Sequence, residues 1–197
     1  MNKVDTIVKN GKIVTSSNVF EAGIAIEDGK IVQISNERLL PPAEEVINAN
    51  GKLILPGMID PHVHFLWPNI SRDRIDRPWD PRFHDFESGT ESAAFGGVTT
   101  IIDFVYQYAN EISMEEAINN RFKETRRSNI DYALHTMLVG ASIANHERLY
   151  SSIDAGLEAG ATSVKVFMSD HRGRTGLFSS NDKIYDAMVH VKQKGGW

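Results

Sequence analysis

The sequence predicts an α/β protein in which a small β-rich segment precedes a parallel sheet. Two observations support this prediction. Near the start of the chain, short apolar runs are separated by Asn-Gly and Asp-Gly pairs, which are typical of tight turns between strands. After residue 56, strand-type apolar runs alternate with helix-type apolar stripes, and this alternation is typical of βα units.

The first 55 residues are predicted to form a segment of a small β-sandwich. Asn10-Gly11 and Asp28-Gly29 each separate two apolar runs. Each pair predicts a two-residue hairpin, because glycine accepts the positive φ that such turns require. Pro41-Pro42 then interrupts the pattern. We therefore divide the chain into residues 1–55 and residues 56–197.

The second part predicts four βα units. Its strands are nearly continuous apolar runs, as expected of strands that are covered on both faces. Ser113 and Glu116 form a capping box at the start of one helix. The predicted elements, in chain order, are strand 59–64, helix 85–95, strand 98–104, helix 114–127, strand 131–138, helix 146–159, strand 162–168 and helix 181–194.

Two histidines, His62 and His64, follow the apolar run that begins at Leu53. In an extended segment both rings lie on one face, about 7 Å apart at the backbone, so that one metal ion could bind both. A His-x-His pair alone is more often a chance pair of half-buried polar residues. Asp60-Pro61 imposes an extended backbone ahead of the first histidine and favours the metal-site interpretation.

Lys165 lies within a strand that is predicted to be buried. An isolated ammonium group is costly in such a place, so the lysine is expected to have a specific partner or role. The alternative is a lysine near a strand end whose amine reaches water along its apolar stem. The local pattern leaves both interpretations open.

Composition excludes several classes of function. With 26 acidic and 21 basic residues, the net charge is −5, so no nucleic-acid partner is expected. There is neither an apolar run of about 18 residues nor the apolar stretch of a signal peptide, which predicts a cytoplasmic protein without membrane contact. The absence of cysteine excludes disulfides and thiolate metal ligands.

The run 56–64, Pro-Gly-Met-Ile-Asp-Pro-His-Val-His, resembles the first barrel strand of the amidohydrolase superfamily. Within that superfamily it is similar to the branch of cyclic-amide hydrolases, which includes hydantoinases, dihydropyrimidinases and allantoinases. Residues 85–90 and 93–104 resemble the first helix and second strand of that branch, residues 131–135 the third strand, and residues 163–168 the fourth. The resemblance covers the whole chain in register.

This resemblance implies the first half of a TIM-type (β/α)8 barrel, preceded by an N-terminal piece of a small β-sandwich. A complete barrel needs about 250 residues, whereas residues 56–197 suffice for about four βα units. We therefore expect the chain to be the first part of a longer enzyme. Alone, it is expected to be poorly soluble, oligomeric or loosely packed, because strand edges stay uncovered.

The resemblance implies that His62, His64 and Lys165 are metal ligands. In the family, carbon dioxide converts the lysine into a carbamate that bridges two divalent ions, and zinc is the expected metal. Two further histidine ligands and the general acid/base aspartate come from later strands of the family's barrel. No catalytic acid/base is therefore assigned in this chain, and that aspartate is expected beyond Trp197.

Four other residues are candidates for lesser roles. Asp170 and His171 follow the fourth strand and are candidates for substrate contact. His135 matches a histidine that is common in the hydantoinase-like branch, and we expect it to form hydrogen bonds or line the site rather than bind metal. Asp103, at the end of the second strand, either faces the end of the barrel that carries active sites or caps the next segment.

The implied activity is metal-dependent hydrolysis of a cyclic amide C–N bond by a metal-bridging hydroxide, in a ring such as hydantoin or a dihydropyrimidine. The expected partner is a small cyclic amide, and the family forms homo-oligomers, commonly tetramers. The chain as given is expected to be inactive alone. Leu66 stands where dihydroorotases have a carboxylate-binding arginine, which disfavours dihydroorotate. Asp170 stands where hydantoinases have an oxyanion-binding tyrosine, which leaves the substrate open.

Two other interpretations stay open. One is a non-catalytic dihydropyrimidinase-related protein that acts by assembly, although such proteins typically lack the metal ligands that this chain has. The other is that the 197-residue chain is itself complete and serves as a binding or assembly piece. Metal analysis of a longer chain tests the first, and the DNA sequence beyond Trp197 tests the second.

Overall fold

The structure is a computed structural model that describes residues 3–66, 84–105, 107, 113–161, 163–168 and 178–196. It divides into two compact units, Met1–Gly57 and Met58–Trp197. None of the helices described is both long and apolar enough to cross a membrane.

The first unit contains two small sheets that share an apolar core. One sheet has the strand order β5-β4-β1-β6 and the other β3-β2-β7, and in each sheet one neighbouring pair is parallel. Ile13, Ala22 and Ile24 are buried at the centre of the core. The strands are β1 Val4–Lys9, β2 Lys12–Val14, β3 Val19–Glu21, β4 Gly23–Glu27, β5 Lys30–Ser35, β6 Ala43–Asn48 and β7 Leu53–Ile54, and a 3₁₀ turn covers Glu37–Leu39.

One of the two predicted hairpins is confirmed and the other is wrong. Asp28 and Gly29, with φ of 51° and 70°, join β4 to β5 as an antiparallel pair. Asn10-Gly11 does not form a hairpin, because β1 and β2 belong to different sheets. A Cβ at Gly11 would lie 2.6 Å from Ile54 Cδ1, so this glycine allows close packing at the corner where the chain passes between sheets.

The second unit alternates strands and helices as predicted. Its sheet has the order β11-β10-β9-β8, and all neighbouring strands are parallel. Each connection between neighbouring strands contains a helix, which is the arrangement of βα units. The elements are β8 Met58–Asp60, α1 Phe86–Phe95, β9 Val98–Val105, α2 Met114–Thr125, β10 Asp131–Met137, α3 His146–Glu158, β11 Val164–Lys165 and α4 Asn181–Gln193, with a 3₁₀ turn at Gly140–Ile143.

Polar side chains fix the starts of three helices. Each accepts a hydrogen bond from the backbone N–H three residues on, which satisfies one of the unpaired donors of the first turn. The predicted role of the Ser113 hydroxyl is confirmed. The pairs are Asp85 with the amide of Ser88 at 2.8 Å, Ser113 with that of Glu116 at 3.1 Å, and Asn145 with that of Arg148 at 2.9 Å.

One face of the parallel sheet packs against helices, and the other face carries a smaller apolar cluster. The smaller cluster contains Phe104, Met137 and Val139, with Phe167 against it. Successive side chains along each strand point to opposite faces, so neighbouring residues belong to different clusters. The buried residues of the helix-covered core are Val105, Met114, Ala117, Ile118, Leu134, Leu138, Ile143, Leu149, Ile153, Ala187 and Val191.

Helix α3 lies close to strand β10 at Gly156. A Cβ at this position would contact the Thr136 hydroxyl and would lie 3.0 Å from Thr136 Cβ. Thr136 is fully buried, so its side chain has little room to move. A residue larger than glycine would therefore push the helix away from the sheet.

We expect Gly156→Ala to destabilise the protein. Overpacking costs about 1–3 kcal/mol, which exceeds the gain of about 1 kcal/mol that alanine has over glycine in a helix. The free energy of unfolding, measured by urea denaturation, should therefore fall. Thr136→Ala in the same chain should recover part of the loss, because it removes the contacted hydroxyl. Strictly additive effects of the two substitutions would contradict this account.

Candidate metal centre

The two predicted metal-binding histidines lie just beyond the end of β8. The amide of Val63 donates to the carbonyl of Ile102 at 3.2 Å, which holds this segment beside β9. The amide of His62 donates to Asp60 Oδ1 at 3.1 Å. Because alternate residues of an extended segment face the same way, His62 and His64 point to one side.

The nitrogens of three predicted ligands converge at one point. His62 Nε2 lies 3.2 Å from His64 Nε2 and 3.3 Å from Lys165 Nζ. Two nitrogen ligands of one tetrahedral zinc ion, each about 2.0–2.1 Å from the metal, are about 3.3 Å apart. The separation of the two imidazoles therefore fits a shared metal ion.

The convergence requires a curved sheet. Lys165 belongs to β11 and His62 follows β8, and these are the two outer strands of the four. In a flat sheet, three strand spacings would separate them by about 14 Å. Their side chains meet because the sheet curls, so that the face with the smaller apolar cluster becomes concave.

Phe104 forms the floor of the candidate site. It is 3% exposed and lies on β9, between the outer strands. Its ring contacts the three candidate ligands and His135, which sets the height of all four side chains above the sheet. The ring centroid lies 4.8 Å from that of His62, 4.6 Å from that of His64, 4.8 Å from that of His135 and 4.6 Å from Lys165 Nζ.

Both histidines are held in the neutral form that binds metals. Burial, followed by the nearby Lys165 and His62, lowers the pKa of His64 to about 4. Burial and then Lys165 also lower the pKa of His62. A neutral imidazole keeps the lone pair that a metal needs, and no proton must be displaced at neutral pH.

The surroundings of Lys165 favour its uncharged amine. The side chain is half-buried, and burial lowers its pKa. Within the part of the chain that the structure describes, no carboxylate opposes this effect. The amine also lies over two aromatic rings, 4.6 Å from the centroid of Phe104 and 5.0 Å from that of Phe167. These cation–π contacts favour the ammonium and oppose the effect of burial. Only the free amine reacts with carbon dioxide, so it is the burial of Lys165 that favours a carbamate.

His135 lines the site but has both ring nitrogens engaged. Nε2 donates to the carbonyl of Pro61 at 2.9 Å, and Nδ1 accepts from the Ser163 hydroxyl. A carbonyl can only accept, which fixes the neutral tautomer with the proton on Nε2. His135 therefore forms hydrogen bonds rather than offering a ligand, in agreement with its expected role.

Asp103 lies on the opposite, helix-covered face of β9 and not in the site. It is fully buried and pairs with Arg121 of α2, whose side chain is 5% exposed, at 2.9 Å. Burial raises the pKa of Asp103, and the guanidinium of Arg121 opposes that rise. The prediction that Asp103 could face the catalytic end is wrong, because its neighbour Phe104 takes the site-facing position.

Arg121 was missed by the sequence reasoning. The signal was present, since Arg121 is three residues after Ile118 and four after Ala117 on the buried stripe of α2. A charged residue on such a stripe indicates a buried partner.

Asp170 and His171 lie outside the described residues. Among the residues that are described, no group of three His, Cys, Asp or Glu side chains could hold a metal ion. The candidate centre therefore combines two histidines with a lysine, which becomes a ligand only when its amine is modified or deprotonated.

Known proteins resemble the chain along nearly its whole length. It is 38% identical over 194 residues to the D-hydantoinase of Geobacillus stearothermophilus, covering 96% of this chain and 37% of the relative. It is 31% identical over 165 residues to the L-hydantoinase of Paenarthrobacter aurescens, covering 84% and 32%. No protein-family model matches it.

The fold also resembles that of solved structures. The crystal structure of dihydropyrimidinase from Brevibacillus agri superposes with a TM-score of 0.80 at 31% identity, covering 97% of this chain and 38% of the other. The chain thus spans about a third of the length of these proteins, which fits an N-terminal piece. On both sequence and fold, the chain resembles part of the cyclic-amide hydrolases of the amidohydrolase superfamily.

Proposed function

We propose that this chain contributes part of a two-metal centre to an enzyme that hydrolyses the C–N bond of a cyclic amide. The observation that carries the proposal is the convergence of His62, His64 and Lys165, with nitrogens 3.2 Å and 3.3 Å apart. Relatives named D-hydantoinase and L-hydantoinase support the substrate class.

His62 and His64 would hold one ion, and a carbamate on Lys165 would bridge it to a second. The curved four-stranded sheet supports the view that the chain forms the first half of a (β/α)8 barrel. In that barrel the remaining ligands and the general acid/base carboxylate come from later strands. When bound, two divalent ions polarise an amide carbonyl and lower the pKa of a water nucleophile.

The described residues have three tasks in this reaction. The two imidazoles stay neutral at neutral pH and present Nε2 to the same point. The half-buried amine of Lys165 reacts with carbon dioxide and loses a proton to become an anionic carbamate, which compensates the charge of the ions. Phe104, beneath all three groups, excludes water from the floor of the site.

The substrate is proposed at the level of a class. Hydantoin and dihydropyrimidine rings share a cyclic amide, and both occur among the names of the relatives and structures. Asp170 and His171 remain candidates for substrate contact. For the whole protein, we propose a homo-oligomer that binds zinc and is located in the cytoplasm.

The first prediction from the proposed function concerns the histidines. In the full-length protein that carries this chain, His62→Ala or His64→Ala should reduce the metal content from two ions to at most one. Hydrolysis of hydantoin or dihydrouracil should fall more than about 100-fold, since even outer-shell partners of metals account for 10- to 100-fold. The site lies at the sheet rim, so the fold should persist.

Metal content can be measured by mass spectrometry and folding by circular dichroism. His146→Ala is the matched control, because His146 is exposed and pairs with Asp186 on a neighbouring helix. Full metal content in both site variants would contradict the ligand assignment. A wild-type protein that never holds metal would instead support a non-catalytic relative.

The second prediction concerns Lys165. Lys165→Arg should lose the two-metal centre although the positive charge is kept, because a guanidinium stays protonated and cannot form the carbamate. Lys165→Ala should lose it too, and a short carboxylic acid such as propionate should restore part of the activity. Assembly of the wild-type centre should depend on bicarbonate, since metal binding and carboxylation are coupled.

The control for this experiment is Lys123→Arg. Lys123 is exposed and bonds to Asn120 on the same helix, so its replacement should leave metal content unchanged. Two ions and full activity in Lys165→Arg would show that Lys165 is an ordinary structural lysine.

The third prediction concerns the chain alone. Many large apolar side chains of its strands are exposed, including Ile31, Val32, Leu53 and Ile59, so the isolated chain should self-associate. It should show no turnover with zinc, cobalt or manganese, because we propose that further ligands and the acid/base group come from later strands of the barrel. Sedimentation and a hydantoin hydrolysis assay test both points. A monomer with measurable turnover would refute the proposal that later strands are essential.

A further inference from the structure

We propose that the buried Asp103–Arg121 pair is a positioning device that holds the backbone beside the metal-binding histidines. The inference rests on the proposed function, since it assigns the pair a task toward the same centre. Both side chains of the pair act on Phe65, the residue that directly follows His64.

The pair satisfies both backbone polar groups of Phe65. Arg121 Nη2 donates to Asp103 Oδ2 at 2.9 Å and to the carbonyl of Phe65 at 2.8 Å. Asp103 Oδ2 in turn accepts from the amide of Phe65 at 3.3 Å. Three residues from three different segments thus form one closed set of hydrogen bonds.

This set replaces the strand pairing that ends nearby. The amide of Val63 still donates to the carbonyl of Ile102 on β9. The next residues, 64–66, do not belong to a strand. Buried amides and carbonyls need partners wherever the ladder stops. The ion pair supplies those partners to Phe65 and so fixes the backbone next to His64.

The remainder of this turn is also constrained. The Phe65 ring packs on α1, with its centroid 5.3 Å from that of Phe86. A Cβ at Gly89 would lie 2.7 Å from Phe65 Cζ, so only glycine leaves room for the ring. Leu66 has a φ of 47°, and its amide donates to the carbonyl of His84 at 2.8 Å.

Fold stability alone does not require this pair. Replacing a buried ion pair by apolar side chains of similar volume is often neutral or stabilising, because burying the charges is costly. The ion pair has instead a geometric property that apolar groups lack, namely a donor and an acceptor directed at one peptide segment. A shift of that segment would move His64 relative to His62, and metal centres are sensitive to such shifts.

The test uses the full-length protein that carries this chain and the double variant Asp103→Leu with Arg121→Met. Removing both charges leaves no uncompensated buried ion, because Glu124, which also pairs with Arg121, is 42% exposed and stays solvated. The variant should therefore fold with a cooperative thermal transition. Zinc affinity, measured by competition with a chromophoric chelator, should fall about 10- to 100-fold. The visible spectrum of the cobalt-substituted protein should change, because it reports ligand geometry.

Arg127→Met is the matched control. Arg127 lies just after α2 and, like Arg121, pairs with an acidic residue, Glu87, but both of these side chains are exposed. It should keep wild-type affinity and the wild-type cobalt spectrum. Asp103→Asn with Arg121→Gln is the second double variant if the first fails to fold. It removes both charges but keeps polar side chains, and it should also weaken zinc binding and alter the spectrum.

The outcomes separate the two proposals. If the wild-type protein binds zinc and the folded variants bind it with equal affinity and an unchanged cobalt spectrum, the pair is only structural and this inference is wrong. If the wild-type protein binds no zinc or cobalt at all, the proposed metal centre fails and the inference fails with it.

Discussion

The alternation of side chains along β9 is the constraint on which the rest of the second unit depends. Asp103 faces the helices and pairs with Arg121, whereas Phe104 faces the concave side and supports the candidate ligands. One pair of adjacent residues therefore links the helical layer to the layer of candidate metal ligands. A shift of this strand by one residue would exchange the two faces and remove both side chains from their present contacts.

The elements of the second unit could be predicted because their signals are local. Apolar periodicity and caps such as Ser113 depend on neighbours within one turn, and the structure has the helices where the pattern indicates. The prediction of a hairpin at Asn10-Gly11 was wrong because the same dipeptide can form either a hairpin turn or a corner where the chain passes from one sheet to another. The difference depends on Ile54, which is distant in sequence but packs against Gly11.

The residue types of the candidate site could be predicted from the sequence, but the sheet curvature and the buried contacts that hold these residues together could not. His62 and His64 stand out by spacing, and Lys165 by its charge within an apolar strand. Their convergence depends on sheet curvature, which no local pattern encodes. The role of Arg121 depends on contacts with Asp103 and with the backbone of Phe65, 18 and 56 residues away, and a charged residue on a helix stripe does not reveal its partner.

The position of the site at the two outer strands has a consequence for folding order. His62 and Lys165 are separated by 103 residues, and they meet only after β8, β9, β10 and β11 have all paired and curled. Contacts of such long range form late, because the chain entropy between them must first be lost. If Lys165 is carboxylated as proposed, that modification would be a late event, and the carbamate would mark chains in which this sheet has already closed.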